Sequence, residues 1–404
     1  MRKQLSRRPR RKNRTPLVLA VAFVLVLAAI CGALYASRAL TDREVGGSQQ
    51  AASSGTAKAP QTLDEQADAI VREMSLTEKV GQMVMIGVQG TDLTDDSKFM
   101  LRQFHIGGVL LFDRNLESAE QTKAFISHMQ DYAQGEEAHQ KVPLFIGIDE
   151  EGGDVVRGKS FIAPPPSQLE IGQTGDPGEA ARSAEKTGKA LKNLGINVNF
   201  APVADVGSPD RRSFSKDATK VTSFVGRAAD GYETAGILYA FKHFPGIGKG
   251  RVDSHKEVST VDASMQTLES EDLAPFRKMI ETRKPENMFI LVSHLIYPAI
   301  DAEHSASQSH AVVTDLLREK MGYHGLVITD DMEMGAVANH APYRQLGVNA
   351  VKAGVDIVMV CHEYEHENDI YMGILEAAQN GEISEAQIDA SVKRIVKAKL
   401  AHEL

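Results

Sequence analysis

The chain has 404 residues, of which 42% are hydrophobic and 25% are charged, so it can fill a sizeable core and is not disordered throughout. The formal charge is −9, but the first 15 residues carry eight Arg or Lys and no acid, whereas the remainder carries 37 basic and 54 acidic side chains, a net charge of −17. A strongly acidic body is a poor partner for nucleic acid, and we expect no nucleic-acid binding.

The N-terminal residues have the pattern of a membrane anchor. A basic segment at 1–15 precedes the predicted transmembrane segment at 16–36, in which residues 17–36 form a run of 20 uncharged, mostly apolar residues. At about 1.5 Å per residue such a run spans a hydrocarbon core of about 30 Å. The positive-inside rule keeps the basic segment in the cytoplasm and predicts a single-pass cell-membrane protein whose body lies on the extracytoplasmic side.

Two alternatives to an uncleaved anchor remain open. A cleaved signal peptide has a similar charge pattern, but its apolar segment is usually roughly 7–15 residues long, shorter than the run seen here. A lipoprotein attached at Cys31 is disfavoured by the bulky Ile30 that precedes it. Because Cys31 lies in this apolar run, Cys361 has no partner cysteine in the body, and no disulfide framework is expected.

A polar, small-residue stretch at 37–61, which contains GGSQQAASSGTAKAP, predicts a flexible linker. Within 62–404, short apolar runs rich in β-branched residues alternate with longer segments of helical period, as in a parallel sheet with crossover helices. The predicted strands lie at 83–88, 107–112, 143–149, 198–206, 236–244, 287–295, 325–331 and 356–360. Helices are predicted at 118–134, 177–195 and 264–281, and Ser75 with Glu78 forms a candidate capping box.

Eight β/α units predict a single α/β domain with the architecture of a TIM-type (β/α)8 barrel, and an open doubly wound sheet is the alternative. In such barrels the chemistry lies at the carboxyl ends of the strands. Five predicted strands end in titratable residues, namely Asp149, Asp205, Lys242 with His243, His294, and Asp330 with Asp331. Their shared placement predicts a functional pocket at this rim.

The stretch KHFPGIGKGRVDSHK at 242–256 follows the fifth predicted strand. Its glycine spacing does not match a phosphate-binding Walker loop, it lacks the usual paired metal ligands, and Ser254 lacks a nucleophile elbow. Asp253 and His255 are two residues apart, so in extended structure they point the same way, and the carboxylate can polarise the imidazole for proton transfer. A turn with a solvent-exposed histidine is the alternative interpretation.

The seventh predicted strand ends in VITDDMEM, where strand pleating should turn one of the two adjacent aspartates toward the barrel mouth. An ionised carboxylate there could attack an electrophilic carbon while the histidine loop supplies a proton to the leaving group. Two such groups on opposite sides of a scissile bond match retaining glycoside hydrolysis, with an Asp–His pair in place of the second carboxylate.

Together these motifs resemble the β-N-acetylhexosaminidase branch of glycoside hydrolase family 3. The resemblance covers roughly residues 63–400 and includes, in the family's order, MSLTEKVGQMVMIG, GGVLLFDRNLES, GIDEEGGDVVR, LGINVNFAPVADV, RSF, KHFPG, DSH and ITDDMEM. It implies that Asp330 is the nucleophile and that His255, polarised by Asp253, is the general acid/base. It also implies that the N-acetylglucosamine in the first subsite is held by Asp149, Arg157, Arg212, Lys242 and His243.

The chain departs from the family pattern at Ile247 and Lys249 in the glycine-rich loop and at Asp154 in the GGDVVR stretch. These departures bear on substrate detail, since the nucleophile and the Asp–His pair are retained. The chain contains no Trp, and only 6% of its residues are aromatic. A pocket for one terminal sugar is therefore favoured over a long stacking platform for a polysaccharide.

The sequence thus predicts a membrane-anchored, retaining exo-β-N-acetylglucosaminidase that acts outside the cytoplasm on β-linked N-acetylglucosamine glycans or muropeptides from peptidoglycan. Neither a metal nor an organic cofactor is expected. One alternative is a phosphorylase, because a neutral histidine repels phosphate less than a carboxylate would. The others are a non-catalytic glycan-binding barrel of the cell wall and, more distantly, a metallohydrolase.

Overall fold

The computed structural model describes residues 62–208, 210–250 and 259–404. The basic segment, the predicted transmembrane segment at 16–36 and the linker at 37–61 lie outside the described residues, as do Asp253 and His255. In the part of the chain that is described, no helix is both long and apolar enough to cross a bilayer.

Eight parallel strands close into a barrel. Successive barrel strands are neighbours, and the first pairs with the last through Val84 and Val358. The barrel strands are β1 Val84–Gly87, β2 Gly108–Leu111, β3 Phe145–Ile148, β4 Val198–Asn199, β5 Leu238–Phe244, β6 Met288–Val292, β9 Leu326–Asp331 and β10 Ile357–Val360. A short antiparallel pair, β7 Ile296–Tyr297 and β8 Asp301–Ser305, forms a separate hairpin. The TIM-type barrel is confirmed, and the open sheet is excluded.

Helices lie before, between and after the barrel strands in the order of the chain. The α-helices are α1 Leu63–Glu73, α2 Leu76–Gln82, α3 Asp95–Phe99, α4 Ala119–Gln134, α5 Gln168–Gln173, α6 Pro177–Asn193, α7 Ala218–Ala235, α8 Met265–Thr267, α9 Ala274–Thr282, α10 Gly335–Ala338, α11 Tyr343–Ala353, α12 Tyr364–Gln379 and α13 Glu385–Ala401. Among the described residues, three segments are π-helical, Met100–Phe104, Leu268–Asp272 and Ala311–Lys320, and three are 3₁₀-helical, Asp113–Asn115, Pro285–Asn287 and Ala306–Gln308. The predicted Ser75–Glu78 capping box is present at the start of α2.

Three predicted elements differ from the structure. The sixth strand was expected at 287–295 but ends at Val292. The fourth strand was expected to run to residue 206 but ends at Asn199, because Pro202 has no N–H to donate to a ladder; only an isolated bridge joins Val203 to Lys242. The helix predicted at 264–281 is divided into α8, a π-helical segment and α9. Pro275 lies in the first turn of α9, where the absence of its N–H is tolerated.

The barrel interior is filled by aromatic side chains. The ring of Phe289 on β6 lies 5.3 Å from that of Phe145 on β3 and 6.1 Å from that of Phe200, which follows β4. Strands β3 and β6 are not neighbours, so this contact crosses the barrel. A side chain at Gly147 would place its Cβ 2.6 Å from the Phe200 ring, and only glycine fits there. The packed interior leaves the two ends of the barrel as places for a site.

A buried ion cluster lies at the start of β10. Asp356 is 0% exposed and accepts hydrogen bonds from Arg318 at 2.7 Å, from Arg394 at 2.8 Å and from the backbone N–H of Val327 at 2.9 Å. Burial alone raises the pKa of Asp356, but Arg318 and Arg394 outweigh it and hold the pKa below its ordinary value. The cluster ties helix α13 and the Ala311–Lys320 segment to the amino-terminal end of the barrel.

We expect Asp356→Ala to lower the free energy of unfolding by about 3–5 kcal/mol at pH 7, because the variant leaves two guanidinium groups without their buried partner. Urea denaturation measures this difference. The pKa of Asp356 is lowered on folding, so its contribution is present above the unfolded value of about 3.9 and is lost as the pH falls through the folded pKa. The difference between variant and wild type should therefore shrink in strong acid.

Glu376→Ala is the control for this experiment, because Glu376 pairs with Arg344 on the surface, where both side chains are nearly half exposed. It should change the free energy of unfolding by less than about 1 kcal/mol. Equal effects of the two substitutions would contradict the structural role given to Asp356.

Candidate active site

The carboxyl ends of the barrel strands surround a cavity of about 150 Å³ that is open to solvent. Six of the residues predicted from the sequence line it, Asp149, Arg157, Arg212, Lys242, His243 and Asp330. The remaining two predicted residues, Asp253 and His255, lie outside the described residues.

Lys242 is the centre of the charge network in this cavity. It projects from β5, is 3% exposed, and its ammonium lies 2.6 Å from a carboxylate oxygen of Asp149 and 2.6 Å from one of Glu151. Burial alone lowers the pKa of Lys242, but the two carboxylates outweigh it and raise the pKa above its ordinary value. The ammonium is therefore a fixed positive charge at the cavity wall.

Glu151 joins this lysine to Arg212. The Arg212 guanidinium donates to both oxygens of Glu151, at 2.8 and 2.9 Å, in a bidentate arrangement. Burial raises the pKa of Glu151, but Lys242 and Arg212 together hold it far below its ordinary range. Three side chains from separate parts of the chain are thus held in one geometry by charge-assisted hydrogen bonds.

His243 is oriented by a second buried acid. Its Nδ1 lies 2.8 Å from Asp205, whose other carboxylate oxygen accepts the backbone N–H groups of His243 and Ile247. The Nε2 atom lies 3.2 Å from Arg212. Because a guanidinium only donates, the tautomer that satisfies both contacts carries its proton on Nδ1 and accepts at Nε2. Asp205 therefore fixes both the imidazole and the first residues of the glycine-rich loop.

Asp330 is the residue before the last of β9. Its side chain is half-buried and lines the cavity. Burial raises the pKa of this carboxyl, but His243, His294 and Lys242 outweigh it and hold the pKa below its ordinary value. One oxygen accepts the N–H of Asp331 at 3.0 Å. An ionised carboxylate on a rigid strand end, with cavity space before it, can act as a nucleophile.

His294 fixes the strand end behind this carboxylate. Its Nε2 lies 2.9 Å from the carbonyl oxygen of Asp331 and its Nδ1 lies 2.7 Å from the hydroxyl of Ser307. Burial lowers the pKa of His294, although Asp330 opposes this shift. The Asp331 side chain pairs instead with His362, at 3.0 Å. The two adjacent aspartates thus have different surroundings, as strand pleating predicts.

The glycine-rich loop is anchored before residue 251. Lys249 lies 2.6 Å from a carboxylate oxygen of the fully buried Asp272 and 3.0 Å from Glu271. The hydroxyl of Tyr297 donates to the carbonyl oxygen of Gly246 at 2.9 Å. At Gly248 an added Cβ would lie 2.0 Å from the carbonyl oxygen of Val206, so the backbone is in close contact there. Lys249, a departure from the family pattern, therefore has its own acidic partners.

Sequence reasoning missed Glu151 as a member of the site and did not assign roles to Asp205 or His294. A signal for Glu151 was present, because it lies two residues beyond Asp149 and a strand-like period of two places both on one side. Asp205 and His294 were recognised as strand-end polar residues. Their roles depend on partners distant in the sequence, and no local pattern reveals those partners.

Comparison with known proteins identifies relatives of this chain. A family model described as the glycosyl hydrolase family 3 N-terminal domain matches residues 75–398. Beta-hexosaminidase A of Pseudoalteromonas piscicida is 33% identical over 337 residues, which cover 76% of this chain and 56% of that protein. Beta-hexosaminidase LpqI of Mycobacterium tuberculosis is 31% identical over 339 residues, covering 81% of this chain and 83% of the relative.

Among solved structures, a glycoside hydrolase family 3 β-N-acetylglucosaminidase from a Paenibacillus species superposes with a TM-score of 0.78 and 35% sequence identity. The match covers 82% of this chain and 64% of that one. The chain thus spans somewhat more than half of the length of the Pseudoalteromonas relative and under two thirds of the Paenibacillus protein.

We expect Lys249→Met to lower the free energy of unfolding by about 3 kcal/mol, because it leaves the Asp272 carboxylate buried without a cation. Chemical denaturation of the variant measures this loss. The double variant Lys249→Met/Asp272→Asn removes the buried charge and should recover most of it. Lys278→Met is the control, since Lys278 is exposed and its distance to Glu281 is 3.8 Å. A double variant no more stable than Lys249→Met would contradict the pairing.

Proposed function

The chain belongs to glycosyl hydrolase family 3, as its motifs indicate, and from this premise we propose that it removes terminal β-linked N-acetylglucosamine from glycans with retention of configuration. The observation that carries the proposal is the placement of Asp330. This carboxylate is kept ionised at the end of a rigid strand and faces a cavity whose wall also carries the Lys242 charge network. The names of the relatives supply the sugar.

In the proposed reaction, a carboxylate oxygen of Asp330 attacks the anomeric carbon and the bond to the leaving oxygen breaks. His255 donates its proton to that oxygen, and a glycosyl ester of Asp330 results. His255 then removes a proton from water, whose oxygen attacks the anomeric carbon and displaces Asp330. Two displacements leave the configuration retained, and the steps need neither a metal nor an organic cofactor.

The same proposal assigns the sugar-binding groups. Asp149, Arg157, Arg212, Lys242 and His243 would hold the hydroxyl and acetamido groups of the sugar, as the family resemblance implies. Physical support comes from their rigidity, because Lys242 and Arg212 are fixed by Glu151 before any ligand arrives. Preorganised charged donors bind a polar ligand with little loss of side-chain entropy.

The location and the natural glycan are part of this proposal. We place the barrel outside the cytoplasm, tethered to the cell membrane by the apolar segment at 17–36 and the linker at 37–61. The support is the basic segment that precedes an apolar run long enough to span a bilayer. An enzyme held there would meet peptidoglycan and its fragments, so we propose muropeptides as substrates.

Incubation with a fluorinated N-acetylglucosaminide that slows the second displacement should trap the covalent intermediate, and peptide mapping should find the sugar on Asp330. Asp330→Asn should abolish labelling and lower kcat by a factor on the order of 10³ or more. The matched variant Asp331→Asn should still be labelled at Asp330, because the Asp331 carboxylate pairs with His362. A label on another residue would overturn the mechanism.

The pH dependence of kcat/KM tests the Asp253–His255 pair. A neighbouring carboxylate raises the pKa of an imidazole, and the general acid must be protonated, so Asp253→Asn should move the alkaline limb to lower pH. The lowered pKa of Asp330 should keep the acid limb that it causes below pH ~3.9, the ordinary value for Asp. An alkaline limb that stays in place, or moves upward, would exclude Asp253 as the partner.

A further inference from the structure

Glu150 is a buried carboxyl that the proposed chemistry does not use. It follows β3 between Asp149 and Glu151, and it is 0% exposed. One of its oxygens, Oε2, accepts the backbone N–H groups of Arg157 at 2.8 Å and of Gly158 at 3.2 Å. Its other oxygen, Oε1, has no hydrogen-bond partner within the described part of the chain. Burying a carboxyl in this way is costly, which indicates a specific purpose.

The main chain of Glu150 is itself fixed. The side chain of Asn199 on β4 accepts the N–H of Glu150 at 3.0 Å and donates to its carbonyl oxygen at 3.1 Å. The same amide donates to the hydroxyl of Tyr232 on α7 at 3.1 Å, and Asn199 is fully buried. A buried hydrogen-bond chain therefore runs from α7 through β4 to the backbone of Glu150 just after β3, and it fixes the point from which the Glu150 side chain starts.

Arg157, in contrast, has weak side-chain partners. Its guanidinium lies 3.5 Å from Asp113, an aspartate that is more than half exposed, and 5.7 Å from the centre of the Phe112 ring. Its Nε atom is buried and has no hydrogen-bond partner among the described residues. Arg212 is held by a bidentate carboxylate, whereas Arg157 has no comparable restraint on its side chain. The direction of Arg157 into the cavity therefore depends mainly on where its main chain is held.

We propose that Glu150 is a positioning residue that directs Arg157 toward the sugar by holding the backbone N–H groups of Arg157 and Gly158. The inference rests on the proposed function, since it takes the cavity to be the sugar site. Glu150 does not line the cavity and acts only through Arg157. The Nε of Arg157 is buried and has no hydrogen-bond partner among the described residues, so this end of the side chain is not held by a carboxylate.

Burial raises the pKa of Glu150, and the two backbone donors only partly oppose this shift. The backbone N–H groups of Arg157 and Gly158 require an acceptor oxygen at a fixed position. In this proposal the negative charge of Glu150 is not essential. Glutamine has the same length and offers an amide oxygen to both N–H groups. Methionine has a similar length and offers no strong acceptor. These two replacements separate the hydrogen-bonding role of Glu150 from its bulk and its charge.

Kinetics on 4-nitrophenyl N-acetyl-β-glucosaminide give the first readout. Glu150→Gln should keep KM within about threefold of wild type, and Glu150→Met should raise KM about tenfold or more with a smaller change in kcat, since binding by Arg157 is lost. Glu367→Met is the matched control, because Glu367 is also buried and lies outside the cavity. It should leave KM unchanged. If Glu150→Gln is as impaired as Glu150→Met, the proposal is wrong.

A double-mutant cycle tests whether Glu150 acts through Arg157. In an Arg157→Ala background, Glu150→Met should raise KM by less than about twofold, because the contact it disturbs is already absent. An additional tenfold increase in that background would overturn the positioning role and leave only a general structural one. Thermal unfolding checks that each variant is folded. Should Glu150→Met not fold, Glu150→Asp, which withdraws the carboxyl by one methylene, takes its place in the same cycle.

The outcome separates this inference from the proposed function. If the wild type does not hydrolyse the glucosaminide but binds N-acetylglucosamine in calorimetry, the hydrolase proposal fails. The double-mutant cycle is then measured with the Kd for N-acetylglucosamine in place of KM. Non-additive Kd values would then still support the link between Glu150 and Arg157, and additive values would refute it. A wild type that neither hydrolyses nor binds the sugar would overturn both proposals.

Discussion

The ammonium of Lys242, buried between the carboxylates of Asp149 and Glu151, is the interaction on which the site depends. With Arg212 it forms a set of two cations and two anions, so the charges balance around the buried Lys242 and Glu151. Removal of one member would leave its partners as unpaired buried charges, which is far more costly than loss of a surface pair. Charge balance therefore fixes four side chains, from the segment after β3, from β5 and from the loop before α7, without any ligand.

One member of this network also acts on the candidate nucleophile. Burial of Asp330 by itself would favour its neutral form, yet His243, His294 and Lys242 hold its pKa down. Lys242 thus has two consequences, because it holds Asp149 and Glu151 in place and favours an ionised Asp330. Electrostatic preorganisation of this kind comes from the barrel itself, since Lys242 and Asp330 are on strands whose backbone positions are fixed by the sheet.

The eight strands could be predicted because each is a short apolar run buried on both faces, and that composition is visible without any partner. Where a single residue changed the outcome, as Pro202 did in β4, the boundary was wrong although the element was right. The hairpin of β7 and β8 escaped prediction because β8, DAEHS, is polar and mostly exposed. The roles of Asp253 and His255 stay predictions, since both residues lie outside the described part of the chain.

The glycine-rich loop shows how a departure from a family pattern can be compensated elsewhere. Lys249 departs from the family pattern and places a positive charge in the loop, where it pairs with the fully buried Asp272 and the partly exposed Glu271. Ile247 keeps its backbone bond to Asp205 whatever its side chain, because that contact uses only the N–H group. The anchor of the loop therefore depends on main-chain donors and on one local ion pair. Residues 247 and 249 can therefore differ from the family pattern without a change in the backbone course of the loop after β5. That course is held by the contacts with Asp205 and Tyr297.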